Sequence, residues 1–125
     1  MRGSKKDLPK TMETSKMVMQ EAEWGDMHVE LDTIHKKMDV TPLLKGLPND
    51  RCQCPHWGYV LKGRMIMRNK DHDEIANAGD AYYMPPGHTA IFDAGTEVLE
   101  FSPKDKLKKA MEVIMRNYKA MQQKK

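Results

Sequence analysis

Apolar and polar residues alternate along much of this chain, in segments that are short and closely spaced. Residues 27–35 place Met27, Val29 and Leu31 between polar neighbours, the pattern of a half-buried strand. Residues 16–20 read polar–Met–Val–Met–polar and predict a shorter strand. Trp24-Gly25-Asp26 is a turn signal between them, and Pro42, Gly46, Pro48 and Asn49-Asp50 mark a loop-rich connection. From Cys52 onward the spacing is regular. Residues 57–61 form a strand, Lys62-Gly63 a two-residue hairpin turn in which glycine supplies a positive φ, and residues 64–68 the return strand. Further strands are expected at 74–76, 81–84, 88–92 and 97–101, separated by Ala78-Gly79-Asp80, Pro85-Pro86-Gly87 and Asp93-Ala94-Gly95. Many short strands at such intervals predict a sandwich or a barrel.

The two ends differ from this middle. Residues 1–14 are polar and charged without a usable period, and read as a flexible N-terminal arm. After Ser102-Pro103 the period changes to that of a helix. Leu107, Ala110, Met111, Ile114, Met115, Tyr118 and Met121 fall on one face and lysines on the other. Ser102 suits the N-cap and Pro103 the first helical position, so the helix is expected over 103–125, after a barrel over 15–102. Its apolar stripe must be covered, either by the chain's own barrel or by a second copy in a homodimer.

Composition narrows the class. A chain of 125 residues with 39% hydrophobic and 31% charged positions can build one core. Its longest apolar runs are too short to cross a membrane, and no apolar stretch follows the basic N-terminus, so a cytoplasmic location is expected. The formal net charge is +3, but the last 23 residues hold eight Lys and Arg against two acids. The excess is that of a solvated helix face, and nucleic-acid binding is not expected. The twelve methionines are expected as adaptable filling for a core or an apolar pocket, Met65, Met67 and Met84 among them.

One segment carries candidate chemistry. In Cys52-Gln53-Cys54-Pro55-His56 the two thiols and the imidazole stand at i, i+2 and i+4, so an extended backbone would aim all three the same way. Pro55 favours extension at Cys54. Gly58 continues that face and would leave room for an ion or ligand. A single intervening residue disfavours a strain-free disulfide between the cysteines. Thiolate with imidazole suits Zn²⁺ first, with Fe and Cu as the alternatives. Of the remaining histidines, His28 and His35 read as surface or rim residues and His72 as a solvated turn tip, whereas His88 opens a strand directly after Pro85-Pro86-Gly87.

The stretch 46–103 resembles the cupin superfamily. Gly79, Pro85 and Gly87 reproduce the G-x5-P-x-G frame of the second cupin motif in GDAYYMPPG. That motif's His falls on Ala90 and its Asn on Ala94, while His88 stands two residues before Ala90 on the same strand face. Gly46, Cys52 and Cys54 match G-x5-H-x-H with cysteine at both histidine positions. His56 and Gly63 match E-x6-G with histidine at the glutamate. The resemblance implies an all-β double-stranded β-helix, a jelly-roll barrel, here with a C-terminal amphipathic helix. It also implies a metal inside, for which Cys52, Cys54, His56 and His88 are the candidate ligands. Two functions are consistent with this reading. One is a metal-dependent enzyme acting on a small organic molecule, with Tyr82 or Tyr83 facing inward. The other is a non-catalytic module that binds or senses a small molecule or a metal.

Overall fold

Short strands with period two become stable when they pair with neighbours in a sheet and find a cover for their apolar face. The computed structural model describes residues 1–123, so the expected helix positions 124 and 125 lie outside the described residues. Ten strands are present among them: β1 (Lys10–Glu13), β2 (Met17–Trp24), β3 (Met27–Ile34), β4 (Met38–Asp39), β5 (His56–Lys62), β6 (Arg64–Arg68), β7 (Asp73–Asn77), β8 (Ala81–Met84), β9 (Thr89–Phe92) and β10 (Glu97–Pro103). A long helix, α1 (Lys104–Gln123), follows, and two short 3-10 turns, Thr41–Leu44 and Pro48–Asp50, fill the loop between β4 and β5. Six strands form one antiparallel sheet in the order β1-β2-β3-β10-β5-β8, and four form the other in the order β4-β9-β6-β7. The chain crosses repeatedly from one sheet to the other, which is the topology of a jelly roll. No helix among the described residues is long and apolar enough to cross a membrane.

Between the sheets Ile34, Val60 and Val98 meet Met65, Ala76 and Phe92 in one apolar cluster. The register fixes what else faces inward. Glu30 lies opposite Glu100, and Glu100 opposite Gly58, with Tyr82 beyond on β8. By alternation His28, Glu30, Asp32 and Ile34 therefore share the lumenal face of β3. Val29 and Leu31 point the other way and are nevertheless buried. The reason is the N-terminal segment. Residues expected as a flexible arm contain β1, which pairs with β2, and Leu8, which is buried. Gln20 Nε2 on β2 donates to the carbonyls of Lys5 and Leu8 at 2.7 and 2.9 Å. The segment lacks internal periodicity because its order comes from the sheet it joins.

The start of the helix also departs from expectation. Ser102 and Pro103 are the last residues of β10, opposite His28 and Met27, and α1 begins one residue later, at Lys104. Leu107 and Ala110 then pack with Leu44, Leu47, Cys52 and Cys54 at one end of the barrel. The stripe is thus covered in part by the chain's own barrel. Asn117 ties the helix to the loop beneath it, donating from Nδ2 to the carbonyls of Leu43 at 2.7 Å and Lys45 at 2.9 Å. Asn117→Ala removes both bonds, and a loss of about 1–2 kcal/mol in urea-unfolding free energy is expected. An unchanged midpoint would show that α1 is held by apolar contacts alone.

Candidate metal centre

The chain brings Cys52, His56 and His88 together, all buried, with one donor atom from each lying within 4.8 Å of the others. Three local features produce this. Cys52 and His88 form an isolated antiparallel bridge, in which Cys52 N–H donates to the His88 carbonyl at 2.9 Å. Gly87, at φ 92°, adopts the left-handed turn that a side chain would strain, and so delivers His88 to that bridge. His56 opens β5, opposite Met84. Its ring meets that of His88 edge to face, with centroids 4.8 Å apart.

Each imidazole is held through Nδ1. His88 Nδ1 lies 2.7 Å from the carbonyl of Pro85, which can only accept, so this nitrogen carries the proton. His56 Nδ1 lies 2.6 Å from Ser102 Oγ, with Glu100 Oε2 at 3.7 Å. Both Nε2 atoms are thereby left for the space at Cys52, whose Sγ is 3.6 Å from His56 Nε2. Burial works against a charge on Cys52, but the bonds from His56 and His88 outweigh it and bring the thiol pKa down to about 6. Burial likewise disfavours protonated His56, yet Glu100 and Cys52 raise its pKa to about 9. The two groups thus favour each other's charged form, and a metal ion held at Cys52 and His56 Nε2 would take the place of the proton between them.

Cys54 is not brought into this group. Residues 52–55 do not run as a regular strand, and the backbone bends at Cys54, so the i, i+2, i+4 rule does not apply to it. Its side chain is 1% exposed, sits in the apolar cluster with Leu44 and Leu107, and donates to the Pro55 carbonyl at 3.4 Å. Burial and the neighbouring Cys52 charge push its pKa up to about 12, which marks a neutral thiol. Gly58 also differs from expectation. The space above it is filled by the Tyr82 ring, to whose atoms a Cβ at Gly58 would approach within 2.3 Å. Tyr82 is the tyrosine that faces inward, and Tyr83 stacks outside on Trp57.

A cavity of about 130 Å³ adjoins the three ligand candidates. Leu107, Met111 and Ile114 of α1 line it together with Met17, Met19 and Met84. Met65 and Met67 do not line it but fill the core between the sheets. Three acids, Glu30, Asp32 and Glu100, also line the cavity, and Tyr82 donates to Glu100 Oε1 at 2.8 Å. Burial, then the charge of Glu30, raises the Asp32 pKa well above the usual carboxylate range. Burial also acts on Glu30, but the neighbouring His28 and Asp32 outweigh it and hold its pKa low. Sequence reasoning read His28 as a surface or rim residue and Ser102 as a helix cap, and passed over Glu30, Asp32 and Glu100. The available signal was their position, since each is a polar residue on a strand whose other face is apolar. His35 and His72 are exposed, as expected.

No protein-family model matches the chain, and no curated protein sequence matches it. Solved structures do. An RmlC-like cupin from Shewanella frigidimarina aligns over 81% of this chain and 88% of its own at 15% identity, with a TM-score of 0.57. The polyketide cyclase RemF from Streptomyces resistomycificus aligns over 82% and 78% at 14% identity, with a TM-score of 0.58. KdgF from a Halomonas species aligns over 82% and 94% at 13% identity, with a TM-score of 0.53. Two facing antiparallel sheets, their strand order and these likenesses lead to one conclusion: the chain has the cupin fold.

Proposed function

We propose that this chain is a metal-dependent enzyme that acts on a small organic molecule in its lumen, with Cys52, His56 and His88 holding one divalent ion, Zn²⁺ in preference to Fe or Cu. The anchoring of both imidazoles carries this reading. A histidine whose Nδ1–H is fixed by a hydroxyl or carbonyl offers Nε2 at a set angle, the arrangement that supports metal-bound histidine. The donor set fits as well. Tetrahedral zinc bonds of about 2.3 Å to sulfur and about 2.05 Å to nitrogen place those atoms roughly 3.5 Å apart, and Cys52 Sγ to His56 Nε2 is 3.6 Å. Bound zinc supplies Lewis acidity and a water of lowered pKa.

The chain's own residues supply the rest of the site. Burial and the charge of Glu30 push Asp32 toward its protonated form, while His28 and Asp32 hold Glu30 toward its ionised form. One carboxyl of each kind on a single wall suits proton donation to a substrate and proton removal from it. Tyr82 fixes the orientation of Glu100. The methionine-rich wall excludes water and adapts to the apolar part of a ligand. A cavity of about 130 Å³ is near the size that accommodates benzene, so the substrate is small.

Elemental analysis of the purified protein, followed by a small-molecule turnover screen, tests the reading. One zinc per chain and a turnover abolished in Asp32→Asn with zinc retained would support it. Protein free of transition metal after purification and refractory to zinc addition would overturn it. Stoichiometric zinc with a ligand bound unchanged would make the chain a binding module instead. A narrower expectation concerns Ser102, which is 2% exposed. Ser102→Ala frees His56 Nδ1, and competition with a chromophoric chelator should show zinc affinity lower by about 10–100-fold.

A further inference from the structure

We propose that Glu21, His28 and Glu30 form a second cation site, with ligands other than those of the Cys52 centre but sharing Glu30 with the wall of its cavity, which takes a divalent first-row ion of oxygen-preferring character such as Mn²⁺. The register of β2 on β3 places Glu21 directly opposite Glu30 and Glu23 opposite His28. Two glutamates across one strand pair repel each other, and a sheet tolerates them best with a cation between. One donor atom from each of Glu21, His28 and Glu30 lies within 4.8 Å of the others. His28 Nε2 is 2.7 Å from Glu21 Oε2 and 3.4 Å from Glu30 Oε1. Despite this closeness Nε2 has no hydrogen-bond partner, and the residue is 8% exposed. The carboxylate oxygens flank the ring nitrogen without lying in line with it, as donors do when they converge on a shared point. Asp32 Oδ1, on the same face and next to Glu30, is buried and also without a partner.

Charge and access agree. No lysine or arginine among the described residues pairs with Glu21 or Glu30, and Lys104 pairs instead with Glu23 at 3.9 Å. His28 meets the excess negative charge with a proton. Burial opposes that proton, but the two carboxylates raise the pKa to about 9. A recess of about 770 Å³ between the sheet and α1 opens onto Glu21 and His28 and gives an ion its path from solvent. One imidazole with two or more carboxylates is a harder donor set than Cys52, His56 and His88, and suits Mn²⁺ where the thiolate site suits Zn²⁺.

Metal-free full-length protein is titrated with Mn²⁺ at pH 8, and the loss of the free-ion EPR signal gives stoichiometry. The background is a Cys52→Ala/His88→Ala double variant, which lacks the first centre, so the two assignments fail independently. One Mn²⁺ per chain is expected there, with affinity at least tenfold weaker after His28→Ala or Glu21→Gln. Should His28→Ala fail to fold, Glu21→Gln at the half-buried rim decides the matter. No Mn²⁺ uptake at millimolar concentration, or uptake indifferent to both substitutions, would overturn the site and leave a histidine–carboxylate ion pair.

Discussion

Cys52→Ala is expected to lose its stoichiometric metal, whereas Cys54→Ser, two residues along, keeps it. Structural zinc binding is worth on the order of 10–16 kcal/mol. If three side chains share it, one carries roughly 3–5 kcal/mol, and its loss weakens affinity by at least about a hundredfold. On the proposed assignment Cys52 carries that share, because its sulfur faces His56 Nε2. Cys54 lies in the apolar cluster with Leu44, Leu47 and Leu107. Cys54→Ser sets a hydroxyl among them at a cost of about 1–2 kcal/mol of folding stability, with no change in the metal centre. Elemental analysis of both variants after dialysis reads the first effect, and urea unfolding reads the second. Equal metal loss in the two would mean that Cys54 is a ligand after all and that residues 52–56 rearrange around the ion.

Gly58→Ala should be the most damaging single-atom addition in the lumen. The new Cβ would stand 2.3 Å from Tyr82 Cζ and 2.4 Å from its hydroxyl oxygen. A ring held on a strand does not bend away as a flexible chain end does. Moving it costs about 1–3 kcal/mol for overpacking, and the break with Glu100 leaves a buried carboxyl unsatisfied for about 1–3 kcal/mol more. A destabilisation of about 2–6 kcal/mol is expected, a large part of a small domain's total of about 5–15 kcal/mol. In a Tyr82→Leu background the same Gly58→Ala change should cost less than about 1 kcal/mol, because its obstacle has gone. Additive costs in that double-mutant cycle would refute the clash.

Much of the fold was legible because period two is a local property. Residues 64–68 and 81–84 were read with the bounds that β6 and β8 have, and the others to within a few residues. The two strands that escaped were those with the least local signal. β1 is short and largely exposed, and β4 has two residues. Cys52, His56 and His88 were legible as candidate ligands from residue type and spacing. Cys54 was grouped with them because the alternation rule presumes an unbroken strand, and here β5 begins only at His56. Ser102 before a proline carries the signature of a helix cap, yet its hydroxyl holds His56, 46 residues away in sequence. No local rule reports such a partner.

From the amino-acid order alone came the strand spacing, the hairpin turns, the amphipathic helix and the residues that share each strand face. Alternation states that His28, Glu30 and Asp32 lie on one side of β3 with Val29 and Leu31 on the other. It does not state which side meets the lumen. Tertiary structure settled that by laying the N-terminal segment against the apolar side, with Gln20 bonded to Lys5 and Leu8. The acids and His28 were thereby turned inward. Period two distinguishes two faces but is symmetric between them, and what covers each face is decided by segments distant in sequence.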